Sequence, residues 1–90
     1  MQTISITVTG KVQGVFYRQS TREKAIELGL TGKVRNLKDG GVNIIVTGEK
    51  EKLDQLIEWC KKGPPRAEVA GMEVSNIELK TFVHFSIERF

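Results

Sequence analysis

The stretch "TGKVRNLKDGGVNIIVTG", Thr31 to Gly48, decides the fold. Two runs of strand-forming residues flank "KDGG", and Asp39-Gly40 between such runs marks a hairpin because glycine accepts a positive φ in the turn. The two runs are therefore expected to be antiparallel neighbours. Upstream, "ISITV" (Ile4 to Val8) alternates apolar and hydroxyl side chains with period two, which predicts a half-buried strand with Ile4, Ile6 and Val8 facing inward. Between that strand and the hairpin, "QSTREKAIEL" (Gln19 to Leu28) is rich in helix formers. Ala25 and Leu28 continue an apolar stripe, and Gly29 is placed to stop the helix.

Downstream of the hairpin, "EKEKLDQLIEWCKKGPP" puts Leu53, Leu56, Ile57 and Cys60 on one helical face, with Gly63 and Pro64-Pro65 ending the helix. The tail supplies "AEVAGMEVSNIEL" as a fourth strand, bent or bulged near Gly71, and "FVHFSIERF" as a last strand returning to the C-terminus. The order is βαββαβ, two split β-α-β units. That pattern predicts an α+β fold, a ferredoxin-like α/β sandwich with an antiparallel sheet, both helices on one face, and strands one and three at its centre.

Composition bounds the function. The 90 residues leave room for one domain, expected to span 1–90, and a chain of this size buries only roughly 60% of its unfolded surface. Apolar and charged fractions of 39% and 28% fit an ordinary soluble protein, and no apolar run reaches the ~18 residues of a membrane span. Strand one follows Met1 directly, without a signal-like segment, and Cys60 is the single cysteine. Both features fit the cytoplasm, and one thiol forms neither an internal disulfide nor a cysteine-rich metal site. The net charge of +3 is too small and dispersed to identify a nucleic-acid partner and mildly favours small anionic ligands.

The chemistry lies in "GKVQGVFYRQST", Gly10 to Thr21, a turn from strand one into helix one. The first N–H groups of a helix lack internal partners and carry the positive end of its dipole, so the segment from Gln13 to Arg18 can cradle an anion. Gly14 lets the chain bend and removes a Cβ that would keep an anion's oxygens from the amides. Arg18 adds a planar donor fork that can hold two phosphate or carboxylate oxygens. An ordinary connection carrying an exposed arginine explains the same letters equally well. The loop lacks the Walker spacing, and Val12 stands six positions before Arg18 where a Cys-x5-Arg phosphatase would need its thiolate.

Together, "GKVQGVFYR", "VRNLKDGGVNIIVTG" and "WCKKGPPRAEV" resemble the acylphosphatase family in order and separation over nearly the whole chain. The resemblance implies hydrolysis of small acyl phosphates to a carboxylate and inorganic phosphate, with no metal and no cofactor. Arg18 ends the family's Gly-x-Val-x-Gly-Val-x-x-Arg signature and would bind the phosphate with the loop amides of Gln13, Gly14, Val15, Phe16 and Tyr17. Asn36, in "VRN", would hold the attacking water. A carboxamide is no general base at neutral pH, and no histidine or carboxylate falls inside either motif, so the substrate's own phosphoryl oxygens would take the proton. An acyl phosphate has a good leaving group, which reduces the protein's task to positioning and charge stabilisation. Without the resemblance, Asn36 reads more simply as a polar residue beside a turn. Inorganic phosphate is expected as product and inhibitor, and the chain is expected to act as a monomer.

Two positions depart from the family pattern. Lys33 stands where relatives often carry an aromatic and Asn43 where a glutamate is common, so both bear on packing or efficiency rather than on the reaction class. Tyr17 reads as a packing residue, His84 as an outward strand residue without a second ligand nearby, Cys60 as core and Trp59 as a partly buried anchor. An RNA-recognition module shares the element order but needs aromatics that "ISITV" and "VNIIV" lack. A domain that binds anions without hydrolysing them would need the loop and Arg18 but not Asn36.

Overall fold

The computed structural model describes residues 1–89, in the order β1 (Gln2–Lys11), α1 (Tyr17–Glu27), β2 (Thr31–Asn36), β3 (Val42–Gly48), α2 (Lys50–Cys60), β4 (Glu68–Ile77) and β5 (Phe85–Glu88). The sheet order is β4-β1-β3-β2-β5. β3 lies between β1 and β2 and is antiparallel to both, with Ile6 opposite Ile44 and Ile44 opposite Val34. This register aligns the inward rows Ile4-Ile6-Val8 and Val42-Ile44-Val46, all buried. A one-residue slip would turn each row to the other face.

Both helices cover those rows, α1 over β2 and β5 and α2 over β3 and β1. Leu53, Leu56 and Cys60 supply the buried stripe of α2 that the spacing predicts; on α1 the buried residues are Tyr17, Thr21 and Ala25, while Leu28, expected to continue the stripe, is the half-buried residue that caps the helix. α1 starts two residues before the predicted Gln19, so Tyr17 joins its first turn and is 1% exposed. The helices end where Gly29 and Gly63 stand. The Gly29 and Gly63 N–H groups donate back to the Ile26 and Trp59 carbonyls at 3.0 and 2.8 Å.

The hairpin forms as read. The Gly40 N–H donates to the Leu37 carbonyl at 3.2 Å, Asp39 Oδ1 accepts the Gly41 N–H at 2.9 Å, and Gly40 sits at φ +98°. The predicted irregularity near Gly71 is a bulge. Thr9 pairs with Gly71 but Gly10 with Val69, leaving Ala70 as the extra residue.

The tail differs from its reading. Of the predicted stretch 82–90, Phe85–Glu88 forms β5, Val83 and His84 form a bend before it, and Phe90 lies outside the described residues. β5 also runs parallel to β2, with Gly32 opposite Phe85 and Arg35 opposite Glu88. The sheet is therefore antiparallel across its first four strands and mixed at one edge. His84 is exposed as expected, and its carbonyl accepts the Gly32 N–H at 3.0 Å.

The sheet's other face is polar. Thr3 and Thr47 meet across β1 and β3 at 2.6 Å, and the Lys80 N–H donates to Thr3 Oγ1 at 2.9 Å as the chain crosses this face toward β5. Lys33, one of the two departures from the family pattern, pairs with Glu88 at 3.3 Å. Asn43, the other, is 7% exposed, and its Nδ2 lies within 3.0, 3.3 and 3.1 Å of Ser5 Oγ, the Ile6 carbonyl and Thr7 Oγ1. It ties β3 to β1 from beneath. Asn43→Ala leaves those acceptors without their buried donor and is expected to lower the unfolding free energy by about 1–3 kcal/mol, measured by denaturant titration.

Candidate active site

β1 and β2 are each antiparallel to β3 and so run parallel to one another, which brings their C-terminal ends to the same edge of the sheet. The loop 12–16 leaves β1 at that edge, and Asn36 is the last residue of β2 there. Between them lies a cavity of about 320 Å³, lined by Gly14, Phe16, Tyr17, Arg18 and Asn36 among others. Residues separated by a whole helix in sequence thus meet at the C-terminal edge of a β-α-β unit.

The loop's shape follows from two left-handed residues on either side of Val15. Gly14 has φ +73°, and a Cβ built there meets nothing within 4 Å, so the space above it is open. Phe16 has φ 65° and ψ 24°, costly for a bulky residue, and the residue is 68% exposed where it lines the cavity. Three anchors hold this conformation. Val12 and Val15 are buried in the core. The Tyr17 hydroxyl donates to the Cys60 carbonyl at 2.7 Å, and its ring lies 5.7 Å from that of Trp59. Gln13 Nε2 donates to the Leu37 and Gly41 carbonyls at 2.7 and 2.9 Å, which ties the loop to the hairpin that carries Asn36.

These anchors hold the loop without using its amides. Phe16, the N-cap of α1, makes no side-chain capping bond, and no acidic residue occupies the first turn. Among the described residues, no N–H from Gly14 to Gln19 takes part in the loop and cap hydrogen bonds. An uncapped helix start beside a half-buried Arg18 concentrates positive potential at the cavity floor. Across the cavity, Asn36 Oδ1 is buried without a hydrogen-bond partner among the described residues. A carboxamide oxygen in that position accepts a bond from any donor that enters.

The predicted site residues divide accordingly. Gly14, Phe16, Tyr17, Arg18 and Asn36 come together on the cavity wall. The Gln13 side chain turns to the hairpin and the Val15 side chain to the core, and neither residue lines the cavity. Ile87 and Arg89 also line it, which sequence reasoning missed. Their arrival follows from the parallel pairing of β5, because Asn36 and Arg89 are the next residues after the Arg35–Glu88 pair.

A sequence model of the family described as acylphosphatase matches residues 4–87. The chain belongs to the acylphosphatase family. It is 46% identical over 90 residues to an acylphosphatase of Methylococcus capsulatus, covering 99% of this chain and 98% of that one. The solved acylphosphatase of Coxiella burnetii superimposes with a TM-score of 0.94 at 42% identity, covering 97% of this chain and 92% of the other. The Bacillus subtilis acylphosphatase superimposes at 0.95 with 33% identity, covering 99% and 100%. The fold is thus that of the acylphosphatases, and the protein is an enzyme, a hydrolase of acyl phosphates.

Cys60 and Tyr17 are packing groups in this setting. Burial pushes the Cys60 thiol up from an ordinary 9.0 to about 12, which leaves no thiolate for nucleophilic attack at neutral pH. Burial, reinforced by the neighbouring Cys60, pushes the Tyr17 hydroxyl well above its ordinary value of 10.0. Both groups stay protonated in the folded chain at pH values where the unfolded chain ionises. Their contribution to stability is complete below the unfolded values and is lost as pH rises above about 9. The thermal midpoint is expected to fall from pH 9.0 toward about 12, and the fall is expected to be shallower in Tyr17→Phe, measured by circular dichroism melts across that range.

Proposed function

We propose that the amides from Gly14 to Arg18, with the Arg18 guanidinium, hold the phosphoryl group of the substrate while the Asn36 carboxamide orients the attacking water. The observation that carries this reading is the pairing of an uncapped helix start with a buried, unpartnered acceptor across one cavity. The first supplies donors to an oxyanion and the second an acceptor for a water O–H.

Water attacks phosphorus, the bond from phosphorus to the bridging oxygen breaks, and the acyl half leaves as a carboxylate. The proton of the attacking water passes to a phosphoryl oxygen, so no side chain has to change protonation state. A carboxylate leaves readily without a general acid, and charge spreading over the phosphoryl oxygens meets fixed donors that need no reorganisation. The same donors suffice without a metal ion or cofactor. The strain at Phe16 belongs to this preorganisation, because the left-handed turn keeps successive amides off the helix ladder and free for an anion. The reading also holds that the chain works as a monomer in the cytoplasm, in keeping with its single buried thiol.

Steady-state hydrolysis of a chromogenic acyl phosphate tests the assignment. Turnover is expected without added metal and unchanged by chelator. Arg18→Ala and Asn36→Ala are each expected to lower kcat/KM by ~10²–10³ or more while the protein stays folded. Full activity in Asn36→Ala removes the water-positioning role.

Inorganic phosphate is expected to compete with substrate and to raise the thermal midpoint, since it binds the folded state alone. Inhibition kinetics and melts with added phosphate check both effects, and their joint absence contradicts the anion site.

A further inference from the structure

Gln13 stands beside the phosphate site without lining it. Its side chain crosses to the neck of the hairpin, 24 positions away in sequence, where Nε2 donates to the Leu37 carbonyl at 2.7 Å and to the Gly41 carbonyl at 2.9 Å. Both acceptors are carbonyls, so the amide nitrogen has to face them and both of its hydrogens are used. The neck is closed without this help. The Leu37 N–H donates to the Gly41 carbonyl at 2.8 Å, the Gly40 N–H donates to the Leu37 carbonyl at 3.2 Å, and Asp39 Oδ1 accepts the Gly41 N–H at 2.9 Å. Gln13 therefore fastens something else to an already closed turn.

It fastens one wall of the cavity to the other. Gln13 directly precedes Gly14, whose φ of +73° begins the cradle, and Leu37 directly follows Asn36, which pairs with Val42 at the end of β2. The two walls have separate supports. Val12, Val15 and Tyr17 anchor the loop in the core, whereas Asn36 rides on the ladder between β2 and β3. Among the described residues, the Gln13 bonds are the side-chain hydrogen bonds that join loop 12–16 to the hairpin. Few side chains could replace them, because asparagine is one methylene shorter and an ionised glutamate carries no hydrogen for a carbonyl. Hydrolysis is sensitive to the spacing they set, since a reacting pair displaced by ~1 Å can lose on the order of 10²-fold in rate.

We propose that Gln13 is a positioning residue for hydrolysis, whose NH2 group sets the distance between the amide cradle and Asn36 and so acts on turnover through Asn36 rather than on phosphate binding. The inference rests on the assignment of Asn36 to the attacking water and adds the group that holds water and phosphoryl in register. The cradle keeps its own anchors when Gln13 is changed, and the hairpin keeps its own closing bonds. What is lost is their alignment.

A double-mutant cycle on the full chain, with a chromogenic acyl phosphate, provides the test. Gln13→Met keeps the length of the side chain and removes both donors. Its kcat is expected to fall about 10–100-fold, while the inhibition constant of inorganic phosphate stays within about twofold of wild type. In the Asn36→Ala background the same substitution is expected to change kcat by less than about twofold, because the group it positions is gone. Equal losses in the two backgrounds overturn the proposal, as a residue that merely supports the fold lowers both alike. A phosphate constant that rises in step with lost turnover also overturns it, by placing Gln13 with the cradle. Gln13→Glu supplies a second readout that does not depend on how methionine packs. Protonation gives that carboxyl one hydrogen for the hairpin, so its kcat relative to wild type is expected to rise as pH falls toward about 4, and a flat ratio in the folded variant overturns the role. Unchanged turnover in folded Gln13→Met overturns the positioning role alone, whereas full activity in Asn36→Ala overturns the water-holding reading and this inference with it.

Discussion

β3 is held between β1 and β2 in a register that sets Ile6, Ile44 and Val34 side by side, and the positions of the other elements follow from it. That alignment turns a continuous apolar row toward the helices. It also leaves the Thr3–Thr47 contact and the Asn43 side chain on the opposite face, where they find polar partners. Because β1 and β2 are both antiparallel to β3, they share a direction, and the helix joining them begins at the edge where both strands end. A hollow at that edge is a consequence of topology before any side chain is chosen.

Side chains then fix the hollow. Gln13 bonds the hairpin carbonyls of Leu37 and Gly41, which ties the loop to the hairpin bearing Asn36. Tyr17 reaches the last residue of α2 through its hydroxyl, which ties the first turn of α1 to the second helix. Buried Val12 and Val15 hold the loop from within. With those anchors made, the amides between them take no part in the loop and cap hydrogen bonds of the described residues, a costly arrangement for a protein unless an anion completes it. The family's reaction makes that cost useful, since hydrolysis of an acyl phosphate asks for a positioned oxyanion and a positioned water and for little acid–base chemistry.

The sequence discloses the parts that depend on local chemistry. The Asp39-Gly40 turn, the alternation of Ile4, Ile6 and Val8, the stripe of Leu53, Leu56 and Cys60 and the stops at Gly29 and Gly63 each have a local cause, and each appears where it is read. Gly14 and Arg18 are legible for the same reason. The rest depends on pairings between distant residues. Nothing near Phe85 says that β5 will run parallel to β2, so Ile87 and Arg89 go unseen at the cavity. Nothing near Gln13 reveals that its carboxamide is spent on Leu37 and Gly41. Asn36 occupies an intermediate position. Its letter suggests only a turn, and the resemblance to a family supplies the role that a buried, unpartnered Oδ1 then supports.

The central claim is that the amides from Gly14 to Arg18 close on a phosphoryl group opposite Asn36. Two-dimensional ¹⁵N NMR of the full chain titrated with inorganic phosphate tests it most directly. The account predicts saturable shifts of the Gly14 to Arg18 amides and the Asn36 side-chain NH2, all following one dissociation constant, with the strands of the opposite face undisturbed. Saturable shifts confined to any other surface, with the Gly14 to Arg18 amides unmoved at saturating phosphate, would contradict it.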